Sequence, residues 1–93
     1  EKLVSEYHSN YEAGNGYPDI TFKAERNTKA VIIEIKATSK AEEMDELAAI
    51  ALSQIEEKNY AKPFTKIAKI TDIYAIGIAF CKKDCTVACK KIK

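Results

Sequence analysis

Two strand-like segments joined by a short polar loop limit what this 93-residue chain can fold into more than any other stretch. Over residues 17–24 polar and apolar side chains alternate, as in a half-buried strand. Residues 30–37 are apolar and β-branched, interrupted by two charges two positions apart, Glu34 and Lys36. Between them, Glu25-Arg26-Asn27-Thr28-Lys29 is polar and short enough for a hairpin loop. Strand side chains alternate faces, so Glu34 and Lys36 point one way and Ile33 and Ile35 the other. If the strands pair, Asp19 arrives beside Glu34 and Lys36: two carboxylates and one ammonium on one face.

Register decides whether they meet. Opposed residues in a hairpin have a constant index sum, and Asp19 shares a face with Glu34 or Lys36 at sums of 53 or 55. The turn then centres between Arg26 and Asn27, or between Asn27 and Thr28. An even sum turns Asp19 away unless a bulge intervenes. Clustered carboxylates repel, and a divalent cation with oxygen ligands is what normally holds such a group together.

Pro18-Asp19, fourteen residues, then Glu34-x-Lys36 resembles the motif of the PD-(D/E)XK phosphodiesterase superfamily, the fold of many restriction enzymes and Holliday-junction resolvases. The wording around it is more specific: residues 9–20 (SNYEAGNGYPDI), then Ile33-Glu34-Ile35-Lys36, then residues 54–60 (QIEEKNY). That string is similar to the nuclease-like domain at the C-terminus of bacterial and archaeal proteins that begin with an AAA-type ATPase domain. The resemblance runs over nearly the whole chain and implies a restriction-endonuclease-like core. In the superfamily a helix, often bearing a glutamate, precedes the first strand. This chain is expected to start after it, as a single domain over 1–93 within a longer polypeptide.

Composition agrees with one small domain. Apolar residues make up 46% of the chain, enough for a modest core. No run of eighteen apolar residues encodes a membrane span, and no signal-peptide pattern is present, so a cytoplasmic location is expected. Charge is uneven: residues 1–57 hold six Lys or Arg against twelve Asp or Glu, and residues 58–93 hold nine against two. A basic C-terminal third beside an acidic site suits a polyanion that must meet a metal. Cys81, Cys85 and Cys89 lack a CxxC pair and a nearby histidine, which argues against zinc and for small apolar residues around a hairpin.

In chain order, a strand over about 3–11 is expected to fold back onto the Asp19 strand through the Gly14-Asn15-Gly16 turn. Ser39 followed by Glu42 has capping-box spacing, with acids in the next turn, and an amphipathic helix follows over about 40–58. Residues 61–72 read as a linker or short irregular helix. The apolar run 73–80 reads as a strand reached by a crossover, hence parallel to the Glu34 strand. After a turn at Lys82-Lys83-Asp84, residues 85–92 return as an edge strand. The expectation is an α+β fold with a mixed sheet in the order βββαββ.

The resemblance implies metal-assisted hydrolysis of a phosphodiester in nucleic acid, DNA rather than RNA. Asp19, Glu34 and the carbonyl of Ile35 would hold Mg²⁺ or Mn²⁺, with Glu12 as a further acid. Lys36 would orient the attacking water or steady the transition state. Gln54, on the edge of the helix's buried stripe, would border the site with Tyr60. An AAA-type ATPase domain is the implied partner, and a homodimer is a second association to test. The competing reading is a catalytically inactive nucleic-acid-binding or regulatory module attached to such an ATPase.

Overall fold

The computed structural model describes residues 4–9, as backbone, and residues 19–93. Strands β1 (Val4–Ser9), β2 (Ile20–Ala24), β3 (Lys29–Ala37), β4 (Asp72–Cys81) and β5 (Asp84–Lys91) form one sheet in sequential order. β3 and β4 run parallel, and the remaining neighbours are antiparallel. The crossover from β3 to β4 carries a 3₁₀ turn (Ala41–Glu43), helix α1 (Met44–Glu57) and the short helix α2 (Lys62–Thr65). The α+β architecture and the βββαββ order are as the sequence led us to expect. The Gly14-Asn15-Gly16 turn lies outside the described residues.

The β2–β3 hairpin takes the register that brings the acids together. Ile20 faces Ile33, Thr21 faces Ile32 and Phe22 faces Val31, an index sum of 53. Its turn centres between Arg26 and Asn27, where Glu25, Arg26 and Asn27 all adopt positive φ (49°, 61° and 65°). None of the three is β-branched, the class for which this region is most costly. Thr28 closes the loop, its hydroxyl donating to the Glu25 carbonyl at 2.7 Å.

One face of the sheet is covered and the other is open. Even-numbered residues of β3 and odd-numbered residues of β4 lie under the helices: Ala30, Ile32, Ile73 and Ala75 pack with Ile55, Tyr60, Phe64 and Ile70. The full burial of Ile32, Ile55, Ile70 and Ile73 is worth about 1.5–3 kcal/mol each. On the other face Phe22, Val31, Ile33, Tyr74, Ile76 and Ile78 are half-buried, and Ile35 and Phe80 are exposed. Among the described residues no element packs against that face.

Two local details depart from the sequence reading. Ser39 makes no cap: Lys40 is the N-cap residue, without a side-chain cap bond, and it is Thr38 whose hydroxyl accepts from the Lys40 N–H (3.1 Å) and donates to the Glu43 carboxylate (2.9 Å). β3 runs on to Ala37 and the Thr38 N–H still donates to the Phe80 carbonyl at 2.9 Å, so the chain leaves the sheet only after Thr38 and the helix opens as a tighter 3₁₀ turn. Of the three cysteines only Cys81 is buried; Cys85 and Cys89 are exposed because their side of the edge strand has no cover.

Candidate active site

The hairpin register extended by one residue sets Asp19 opposite Glu34. Thr21, two positions on, is fully buried on the helix-covered face, so Asp19 belongs to that face too. Its carboxylate accepts a hydrogen bond from the Ile35 backbone N–H at 2.7 Å, which fastens the start of β2 to the strand carrying Glu34 and Lys36. Within a strand the N–H and C=O of one residue point to the same flank, so the Ile35 carbonyl also faces the Asp19 side. Glu12 lies outside the described residues.

Glu34 is the unusual group. A carboxylate is rarely buried without partners, yet Glu34 is only 7% exposed and its Oε1 has no hydrogen-bond partner. Burial pushes its carboxyl above the usual range, and the negative charge of Asp19 pushes the same way. Lys36, a hydrogen bond from the Asp19 backbone, and Lys58 pull it back. Leaving such a polar atom unsatisfied costs about 1–3 kcal/mol. A hard cation would satisfy it, because Glu34 offers a bare buried oxygen with a second carboxylate alongside. The donor set fits a divalent metal, although no group of three or more His, Cys, Asp or Glu side chains converges among the described residues.

Around this pair the helices add polar groups. Gln54 lies on α1 with a buried Oε1 that also lacks a partner. With Lys36 and Lys58 it lines an open groove of about 530 Å³, whose wall continues along Ile50 and Ser53. Tyr60, just past α1, is 4% exposed; burial first, then the charges of Glu34 and Asp19, raise its phenol so that it stays protonated. Asp19, Glu34, Lys36 and Gln54, all expected from sequence, therefore sit on one side of the sheet.

The sequence reading overlooked Lys58 and Thr21. Lys58 follows Gln54 by four residues and so shares its helix face, a spacing visible in the chain. Thr21 follows Asp19 by two and carries a buried, unpartnered hydroxyl.

A family model of the PD-(D/E)XK nuclease superfamily matches residues 2–90. The chain belongs to that superfamily. As a PD-(D/E)XK member it is a nuclease-like domain, and the five-stranded mixed sheet with its crossover helix is the restriction-endonuclease-like arrangement. PD-(D/E)XK nucleases generally use divalent metals and act on nucleic acid. No curated protein and no solved structure matches the chain. No described helix is long and apolar enough to cross a membrane.

Proposed function

We propose that the domain hydrolyses phosphodiester bonds in nucleic acid with Mg²⁺ or Mn²⁺. The observation that carries this reading is the buried, unpartnered oxygen of Glu34 next to Asp19 on the strand that also presents Lys36. Glu34, Asp19 and the Ile35 carbonyl would hold the ion, with Glu12 as an additional acid. A bound ion supplies charge neutralisation at the scissile phosphate and a more acidic water. Lys36 projects from the same face as Glu34 and lines the groove, where its ammonium can steady a water or a phosphate oxygen. The Gln54 amide at that wall and the neutral Tyr60 hydroxyl, close enough to feel the charges of Glu34 and Asp19, are suited to orient water without adding charge. DNA is proposed ahead of RNA, and attachment to an AAA-type ATPase domain is proposed, on the resemblance alone.

The test is calorimetry with Mn²⁺ on the wild type and Asp19→Ala, beside cleavage of labelled DNA and RNA. We expect Asp19→Ala to weaken metal binding and Lys36→Ala to keep it, with cleavage abolished in both. Cleavage that survives both substitutions would place the chemistry elsewhere. Mn²⁺ affinity unaffected by Asp19→Ala, with salt-sensitive nucleic-acid binding and no cleavage, would favour a binding module.

A further inference from the structure

Strand β5 closes one side of the sheet, and among the described residues it pairs only with β4. Proteins usually guard such an edge with a bulge, a proline or a charge. The opposite edge strand, β1, has a register shift between Val4 and Glu6. β5 has none: its pairing with β4 is unbroken from Tyr74–Lys91 to Cys81–Asp84. Its middle, Cys85-Thr86-Val87-Ala88-Cys89, has no charge and no proline, and Val87 is 55% exposed.

The outward backbone groups can be assigned. Thr38 N–H donates to the Phe80 carbonyl at 2.9 Å, so even-numbered residues of β4 turn toward β3 and odd ones toward β5. Odd residues of β4 oppose even residues of β5, which leaves the N–H and C=O of Cys85, Val87 and Cys89 facing away from the sheet.

We propose that a second copy of this chain pairs antiparallel with β5 about a two-fold axis through Val87. The charge pattern selects this register. Centred on Val87, Asp84 of one copy opposes Lys90 of the other, twice by symmetry. Centring on Thr86 instead opposes Lys82 to Lys90, and centring on Ala88 opposes Asp84 to Ile92. Asp84 takes no ion pair among the described residues, whereas Lys90 already holds Glu56 of its own helix at 2.9 Å and would bridge two carboxylates. Lys83 and Lys91 then oppose each other at the ends, where Lys91 is neutralised by Asp72 at 2.9 Å. Val87 meets its own symmetry mate, and Cys85 opposes Cys89. Same-parity pairing keeps both helices on one side and both open faces on the other, giving one continuous sheet.

Sedimentation of the reduced protein tests this. The wild type should show a reversible monomer–dimer equilibrium, weak because a single strand edge is small. Val87→Lys sets two ammonium groups face to face and should weaken association by at least about tenfold. Asp84→Lys should weaken it too, and adding Lys90→Glu should restore it. Circular dichroism of each variant checks folding. Independently, a short bis-maleimide should link a mixture of Cys85→Ser and Cys89→Ser chains more efficiently than either variant alone, because Cys85 faces Cys89 and not itself. A wild type that stays monomeric overturns the proposal. So does a dimer indifferent to Val87→Lys but lost in Phe80→Lys, which would place the contact on the open apolar face.

Discussion

Gly77 of β4 stands directly beside Glu34 of β3 in the parallel ladder. Helix α1 crosses so closely above Gly77 that a Cβ there would collide with the Ala48 carbonyl and lie 2.6 Å from the Leu52 nitrogen. Both are backbone atoms of a helix, so neither can swing aside. The missing side chain lets α1 settle low over the strand next to the acid, and this close approach helps explain how a carboxylate comes to be buried. We expect Gly77→Ala to destabilise the domain by about 3 kcal/mol, a fall of roughly 15 °C in Tm. Thermal unfolding followed by circular dichroism measures it.

Glu34→Gln should uncouple stability from metal binding. Glu34 has a raised pKa, so its folded form is favoured below the ordinary carboxylate range and loses that advantage as pH rises through the raised value. At neutral pH and without metal, the neutral amide should therefore stabilise the domain by about 1 kcal/mol. The advantage should vanish as the pH is lowered past the ordinary range, and Mn²⁺ should no longer raise the variant's Tm. Equal Tm values at neutral pH would mean that the buried charge costs nothing.

Asp72 should dominate the acid side of the stability curve. Hydrogen bonds from Lys29, Lys91 and Thr71 hold its carboxyl well below the usual carboxylate range. Its contribution is present above the ordinary carboxylate pKa of about 4 and is lost as pH falls toward the depressed value. Asp72→Asn should thus lower stability most at neutral pH, with the difference from wild type shrinking as acid is added. Urea titrations across that range would reveal it, and a constant difference would contradict it.

Lys58 should separate electrostatic binding from metal binding. Its charge reaches Glu34 and its side chain lines the groove with Lys36. Lys58→Ala should weaken nucleic-acid binding and reduce the salt slope by about 1. Mn²⁺ affinity should not fall by the same factor, since Lys58 is not a ligand.

The alternation around Asp19, Glu34 and Lys36 made the hairpin and the shared face of the three charges legible in the sequence, because a period of two allows few registers. The crossover and the parallel β3–β4 pair followed from an amphipathic run between two apolar ones. The helix start was harder: Ser39 and Thr38 are adjacent hydroxyls, and which of them bonds the first turn depends on where the chain leaves the sheet. Lys58 was missed because a terminal helix lysine looks like solvent decoration until the carboxylate opposite it is known to be buried. The exposure of Cys85 and Cys89 depends on what covers the sheet, which local pattern does not encode.

The left-handed run Glu25-Arg26-Asn27 acts as a phase setter for everything upstream of it. Faces alternate with a period of two, so one residue gained or lost there would rotate Asp19 to the opposite side with every side chain of β2 chemically intact. The site therefore depends on whether the loop's residue count is kept odd or even, and on its side chains only as far as they tolerate positive φ. Whether the two acids meet is thus decided by length, at a bend several positions away from either carboxylate.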